Sequence, residues 1–235
     1  GAVLEPRALE EERAFVMSHA RRYLAKDPRA EDVLSVFAGL RPLVRSGDSG
    51  DTAALSRDHV IVVSESGLVT VTGGKWTTYR KMAEDVVDQA EMVAGVDNRQ
   101  SATTELPVHG STTDPAVDPG LALYGSDGAA IADLMAQTPT LRALLHPRLP
   151  YRAAEVVWHV RHEMARTVED VLARRTRALL LDAAASIESA AVVAGLMAGE
   201  LGRDAAWEHA QVEAYGLLAR GYVYNDPASV QAPKA

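Results

Sequence analysis

The run Leu68-Val69-Thr70-Val71-Thr72 leads into Gly73-Gly74-Lys75, and then into a long amphipathic segment that opens Trp76-Thr77-Thr78-Tyr79-Arg80. This order specifies a strand, a glycine turn and a helix start. Glycine lets a backbone turn sharply and come close to a ligand. Free N–H groups at a helix N-terminus attract anions, and Lys75 adds a positive charge at the same place. A phosphate-binding P-loop is excluded. That motif needs a glycine five residues before Gly74 and Ser or Thr after Lys75, where this chain has Val69 and Trp76. The residue chemistry leaves two readings open, an anion or cofactor contact and a plain tight turn.

The surroundings of the turn mix strands with helices. Residues 6–25 predict a helix with Phe15, Val16, His19, Ala20, Tyr23 and Leu24 on one stripe. Residues 32–43 read as strand-like and Val60–Val63 as a short buried strand. Ser64-Glu65-Ser66-Gly67 is then a hairpin turn into the run at 68–72. The helix after the turn, at 75–94, carries Tyr79, Met82, Ala83, Val86, Ala90 and Val93 on its inner stripe. Residues 98–122 are rich in Pro and Thr and read as a linker.

Beyond the linker the pattern is helical, with helices expected at 128–136, 140–146, 151–163, 167–174, 182–201 and 203–218. Thr167 and Asp170 have capping-box spacing. A stripe of Trp207, Ala210, Ala214, Leu217 and Leu218 needs a packing partner. The expected division is 1–97 as an α+β piece, 98–122 as linker, 123–224 as an all-α domain and 225–235 as a frayed tail. About three strands are too few to close a nucleotide-binding sheet, so the first piece reads as the end of a larger domain. The chain does not begin with methionine, which fits a piece of a longer protein.

A net charge of −8 argues against nucleic acid as a partner. The chain has no cysteine, so thiolate and disulfide chemistry are excluded. No unbroken apolar run reaches the length of a membrane span, and the first residues lack the pattern of a secretory signal. His159 and His162 lie three apart with no third ligand evident. They read as partly exposed helix residues, and no metal is expected. Arg161, Arg166, Arg174, Arg175 and Arg177 alternate with acidic residues, the pattern of an ion-paired surface. Arg41, beside Pro42, and Arg57, before a strand, have the chemistry for bidentate phosphate or carboxylate recognition. Surface ion pairing is the alternative for each.

Three segments in this order, Phe37-Ala38-Gly39-Leu40-Arg41-Pro42-Leu43, Leu55-Ser56-Arg57-Asp58-His59 and Val71 to Arg80, resemble the FAD-dependent (aerobic type) glycerol-3-phosphate dehydrogenases. A fourth, Glu163 to Arg177, resembles the helical C-terminal domain of that family. The glycine-rich FAD fingerprint is missing, so the resemblance is to the C-terminal portion alone. It implies the end of a glutathione-reductase-like FAD domain followed by a helical bundle. It further implies that Gly73, Gly74, Lys75, Thr77 and Thr78 contact FAD, and that Arg41, Arg57 and Lys75 bind glycerol 3-phosphate. Lys75 would be catalytic as well. Hydride would pass to FAD and electrons to a quinone, at the inner face of a membrane on the cytoplasmic side. A glycerol-3-phosphate oxidase using oxygen is the variant within the class. The N-terminal half of the enzyme would be an obligatory partner, so this chain alone is expected neither to retain FAD nor to catalyse. A helical interaction or homodimerisation module is the reading from a different class.

Overall fold

The computed structural model describes residues 4–40, 58–97, 99–114 and 118–230. The chain divides into two units, Gly1–Gly39 with Gly110–Ala235, and Leu40–His109. Chain order alone puts residues 1–39 beside the strands. In the structure they group with the helices, because their backbone and side-chain partners lie there.

The Leu40–His109 unit holds a hairpin and a helix. Strand β1 (His59–Val63) pairs antiparallel with β2 (Val69–Gly73), His59 opposite Gly73 and Val63 opposite Val69. The expected turn closes it. Gly67 takes φ +83° and donates to the Ser64 carbonyl at 2.9 Å. A single 3₁₀ turn, Trp76–Thr78, precedes α2 (Tyr79–Ala94), which ends on left-handed Gly95. None of the described residues of this unit is buried. The short buried strand expected at 60–63 is therefore corrected: Val62 and Val63 are exposed. Two strands and one helix do not enclose an apolar interior.

The other unit begins with α1 (Glu10–Tyr23), acidic in its first turn and basic in its last. Its apolar stripe faces outward: Phe15, Val16, Tyr23 and Leu24 are all exposed. Its one buried residue is Arg13, which stacks over the Tyr224 ring and donates to the Tyr224 carbonyl and to Ser229 Oγ. This contact orders residues 225–230, where a frayed tail is expected; Ser229 is buried and Val230 bridges to Ala8. Residues 231–235 lie outside the described residues.

The strand-like reading of 32–43 is also corrected, as far as Leu40. The segment after the short turn Ala30–Asp32 is extended but has no ladder. Its hydrogen bonds go to helical residues and to a turn instead, from Val36 N–H to the carbonyl of Tyr222 in a turn, from Ser35 Oγ to the helical Leu179 carbonyl, and from Ala183 N–H at a helix start to the Leu34 carbonyl. Described strands thus number two rather than three.

The helical core follows. After 3₁₀ turns at Pro119–Asp127 come α3 (Gly128–Gln137), α4 (Ala153–His162), a π-helical stretch Asp170–Arg175, α5 (Ala178–Leu181), α6 (Ala183–Leu201) and α7 (Ala205–Arg220). The expected helix at 140–146 shrinks to one 3₁₀ turn, Pro139–Arg142. Pro147 disfavours helical backbone at the residue before it. The Thr167–Asp170 cap is present in both directions, at 3.0 and 3.1 Å. Asp182 caps α6 and Asp204 caps α7, each accepting at 2.9 Å.

Helix α6 is long and apolar enough to cross a membrane, although Glu188 and Glu200 interrupt its run. Nine of its residues are buried inside the unit, so it serves here as the core helix. Val193 and Met197 on its inner face pack in one cluster with Val156, Leu172 and Leu179. The stripe expected on α7 is rotated. Tyr215 and Ala219 are buried, with Trp207, Val212 and Leu218 beside them, while Ala210, Ala214 and Leu217 face outward.

Candidate functional site

At the glycine turn both glycines are left-handed, Gly73 at φ +77° and Gly74 at φ +83°. A Cβ on Gly74 would meet Met82 Sδ at 2.5 Å and His59 Cβ at 3.2 Å. The turn thus lets β2 reverse and lets α2 pack close to β1. Replacing Gly74 by Ala is expected to destabilise this unit by about 1–2 kcal/mol, the cost of a left-handed L-residue. Hydrogen exchange across 59–94 would show it as faster opening; unchanged protection would refute the assignment.

Lys75, Trp76, Thr77 and Thr78 are exposed, and Thr78 Oγ1 donates to the Lys75 carbonyl at 3.0 Å. Because a 3₁₀ turn intervenes, α2 itself begins at Tyr79, four residues after Lys75. Trp76 stacks on Tyr79 with ring centroids 5.7 Å apart. Lys75 carries no ion pair among the described residues, whereas the basic residues Arg80 and Lys81 on α2 are both engaged. Lys81 bridges Glu84 at 2.6 Å and Asp85 at 2.9 Å, Arg80 meets Glu84 at 2.5 Å, and His59 Nε2 lies 2.9 Å from Asp85. Hydrogen bonds from Lys81 hold the Asp85 and Glu84 carboxyls below their ordinary range. Glu84, Asp85 and Asp88 approach one another within 4.8 Å, with Lys81 and Arg80 already balancing two of them. Of the candidate residues in this one stretch, Lys75, Thr77 and Thr78 are exposed and Gly73 and Gly74 half-buried. Arg41 and Arg57 lie outside the described residues.

The helical unit holds a polar cluster that the sequence does not disclose. His159, expected to be partly exposed, is 1% exposed. Tyr124 Oη donates to Glu155 Oε1 at 2.9 Å and lies 3.0 Å from His159 Nε2. With the tyrosine proton directed to the carboxylate, His159 Nε2–H donates to the phenol oxygen. Nδ1 is then left as an acceptor, and it has no hydrogen-bond partner among the described residues. Burial, with Arg175 nearby, pushes the His159 pKa down to about 4, so the ring is neutral. Burial raises the pKa of Glu155, while the Arg152 N–H, 2.5 Å from its Oε2, opposes the shift. Glu163 Oε2 stands 3.7 Å from His159 Nε2. His162 is exposed and stacks on Trp158 instead. The signal in the sequence is the Glu155–His159 spacing of four inside a helix that is apolar almost all round. The expected ion-paired surface does form, with Arg161 gripping Glu200 at 2.6 and 2.8 Å and Arg174 bridging Glu169 and Asp170.

Residues 69–208 match the family model described as the C-terminal domain of alpha-glycerophosphate oxidase. A Caenorhabditis elegans protein named "Probable glycerol-3-phosphate dehydrogenase, mitochondrial" is 37% identical over 89% of this chain and 32% of its own length. The human mitochondrial glycerol-3-phosphate dehydrogenase is 35% identical over 92% of this chain and 32% of its own length. The chain thus spans about a third of these curated relatives. The glycerol-3-phosphate dehydrogenase of Bacillus halodurans, solved with FAD, superposes with a TM-score of 0.73 and 25% identity. That match covers 99% of this chain and 48% of the Bacillus protein. A family model that matches more than half of the residues, together with relatives that align along nearly the whole chain, places this chain in the family of the C-terminal domain of alpha-glycerophosphate oxidase.

Proposed function

We propose that the chain is the carboxyl-terminal part of a flavoenzyme that oxidises sn-glycerol 3-phosphate to dihydroxyacetone phosphate. The observation that carries this reading is the alignment of nearly the whole chain with proteins named glycerol-3-phosphate dehydrogenase, one of them solved with FAD. FAD, when bound, accepts the hydride from substrate C2. The residues at the turn suit such a group. Gly73 and Gly74 present backbone without side chains, and Lys75 beside them offers a positive charge with no ion pair among the described residues. That charge favours a reduced, anionic flavin and a developing alkoxide on the substrate. Thr77 and Thr78 offer hydroxyls from the following turn, and Arg41 and Arg57 hold the substrate phosphate in this reading. The Leu40–His109 unit has no buried residue among those described, which suits a hairpin completed by a sheet from a longer protein.

A quinone is the electron acceptor we favour, with the enzyme at the inner face of a membrane. The mitochondrial names of the eukaryotic relatives support a membrane setting. The oxidase in the family description supports oxygen as the second reading. One comparison tests the proposal: the chain expressed alone, and the chain expressed as part of a full-length protein. The longer protein is expected to purify yellow, to be bleached anaerobically by glycerol 3-phosphate, and to re-oxidise faster with a quinone analogue than with oxygen. The chain alone is expected to elute without stoichiometric flavin absorbance. A longer protein that glycerol 3-phosphate fails to bleach refutes the substrate. Flavin held by the chain alone refutes the division of labour.

A further inference from the structure

We propose that the extended segment 33–39 takes up an apolar strand along its open edge, in the groove beside α1, and that this strand comes from the portion of the full-length protein outside this chain. The groove measures about 900 Å³ and lies within the helical unit. Phe15 and Val16 on α1 line it, and so do Val33, Ser35 and Phe37 of the extended segment.

The backbone gives the first reason. In extended chain the N–H and C=O of one residue point to one side, and those of the next residue to the other. The Leu34 carbonyl and the Val36 N–H, two residues apart, are bonded to Ala183 and Tyr222, so the helical unit occupies that edge. The opposite edge carries the groups of Ser35 and Phe37, which have no backbone partner among the described residues. A row of this kind is a template for another strand. The side chains give the second reason. Phe15, Val16 and Phe37 are 61, 62 and 62% exposed around the same groove. A contiguous apolar patch of this kind marks a contact surface.

Length and charge select the occupant. The match to the Bacillus protein covers 99% of this chain and 48% of that protein, which leaves about half of it outside the match. A second copy of this chain is disfavoured. In a symmetric pair the same face meets itself. Glu11 and Glu12 also line the groove and would confront their own copies there. A strand with apolar residues towards Phe15 and Phe37, and a basic residue beside Glu11, fits the edge, the patch and the charge. The proposal rests on reading the chain as the carboxyl-terminal part of a longer protein, and not on its flavin or its substrate.

The test is residue-resolved hydrogen exchange by mass spectrometry on the full-length protein and on the 235-residue chain alone. The Val36 N–H, already bonded to Tyr222, is the reference and should be protected in both. The Ser35 and Phe37 N–H groups should exchange freely in the chain alone and about 100-fold or more slowly in the full-length protein. Phe15→Ser is the companion variant. Because Phe15 is exposed, the chain alone should keep its circular dichroism and melting temperature. In the full-length protein the same change should lower the melting temperature and speed exchange at Ser35 and Phe37. Equal exchange at these two positions in both proteins overturns the pairing. So does protection in the chain alone that rises with its concentration as a dimer appears by light scattering, or a full-length protein that Phe15→Ser leaves unchanged. Bleaching by glycerol 3-phosphate is read on the same sample. Bleaching with Ser35 and Phe37 unprotected overturns the pairing and keeps the flavoenzyme reading; protection without bleaching does the reverse.

Discussion

Replacing Lys75 by methionine in the full-length protein is expected to slow reduction of the bound flavin by glycerol 3-phosphate by about 10²–10³-fold. That is the usual loss when a donor aimed at developing negative charge is removed, roughly 3–4 kcal/mol of transition-state stabilisation. Lys75 is the candidate because of where the fold leaves it. It follows two left-handed glycines, is exposed, and has no ion pair among the described residues, while Arg80 and Lys81 are both tied to carboxylates. Methionine keeps the length of the side chain and removes the charge. At an exposed position such a change should alter stability by no more than about 0.5 kcal/mol. Anaerobic stopped-flow bleaching separates the chemical step from substrate binding. A rate equal to that of the parent enzyme would remove Lys75 from the reaction.

Acidification should weaken the helical unit through His159. Its folded pKa, about 4, lies below the ordinary value of 6.5, because burial disfavours the charged ring. Between these values the unfolded chain binds a proton that the folded chain refuses. Stability is therefore complete above about pH 6.5 and falls as the pH drops towards 4. The full loss is about 3 kcal/mol, because each tenfold difference in proton affinity between the folded and unfolded chain is worth about 1.4 kcal/mol. Glu155 acts in the opposite sense. Its raised folded pKa means that the native state takes up a proton before the unfolded chain does, which offsets part of the loss at the acid end. In His159→Gln the amide can still donate to Tyr124 but does not titrate. Urea midpoints at about pH 7.5 and about pH 5 should therefore lie closer together in the variant than in the parent. Equal separation in the two proteins would show that His159 does not govern the acid limb.

Local chemistry makes several elements legible. Asp182 and Asp204 bound helices because a carboxylate satisfies free N–H groups, and Gly95 and Gly202 end them because left-handed backbone suits glycine. The hairpin at 64–67 follows from Ser64 and Gly67 in the same way. Burial is less legible. The stripe Phe15, Val16 and Tyr23 has sound helical spacing, and the helix forms, but the stripe stays exposed. Periodicity shows that a face is apolar and is silent on what covers it. The segment before Leu40 misleads for a related reason. Its apolar residues suit an extended backbone, but a strand also needs a ladder partner, and its hydrogen bonds go to helical residues and to the turn at Tyr222.

The amino-acid order by itself determined the strand–glycine–lysine turn and most helix limits, because each depends on residues within a few positions of one another, and it determined the family, because short motifs recur in a fixed order along the chain. Only the tertiary structure decided that Tyr124, Glu155 and His159 share one buried cluster, and that Arg13 holds Tyr224 and Ser229. It also decided that Arg175 finds a carboxylate while Arg177, two residues on, has no ion pair among the described residues. Those outcomes depend on elements that meet across the fold. Which polar atoms lose water, and which find a partner in exchange, is settled only when separate elements pack.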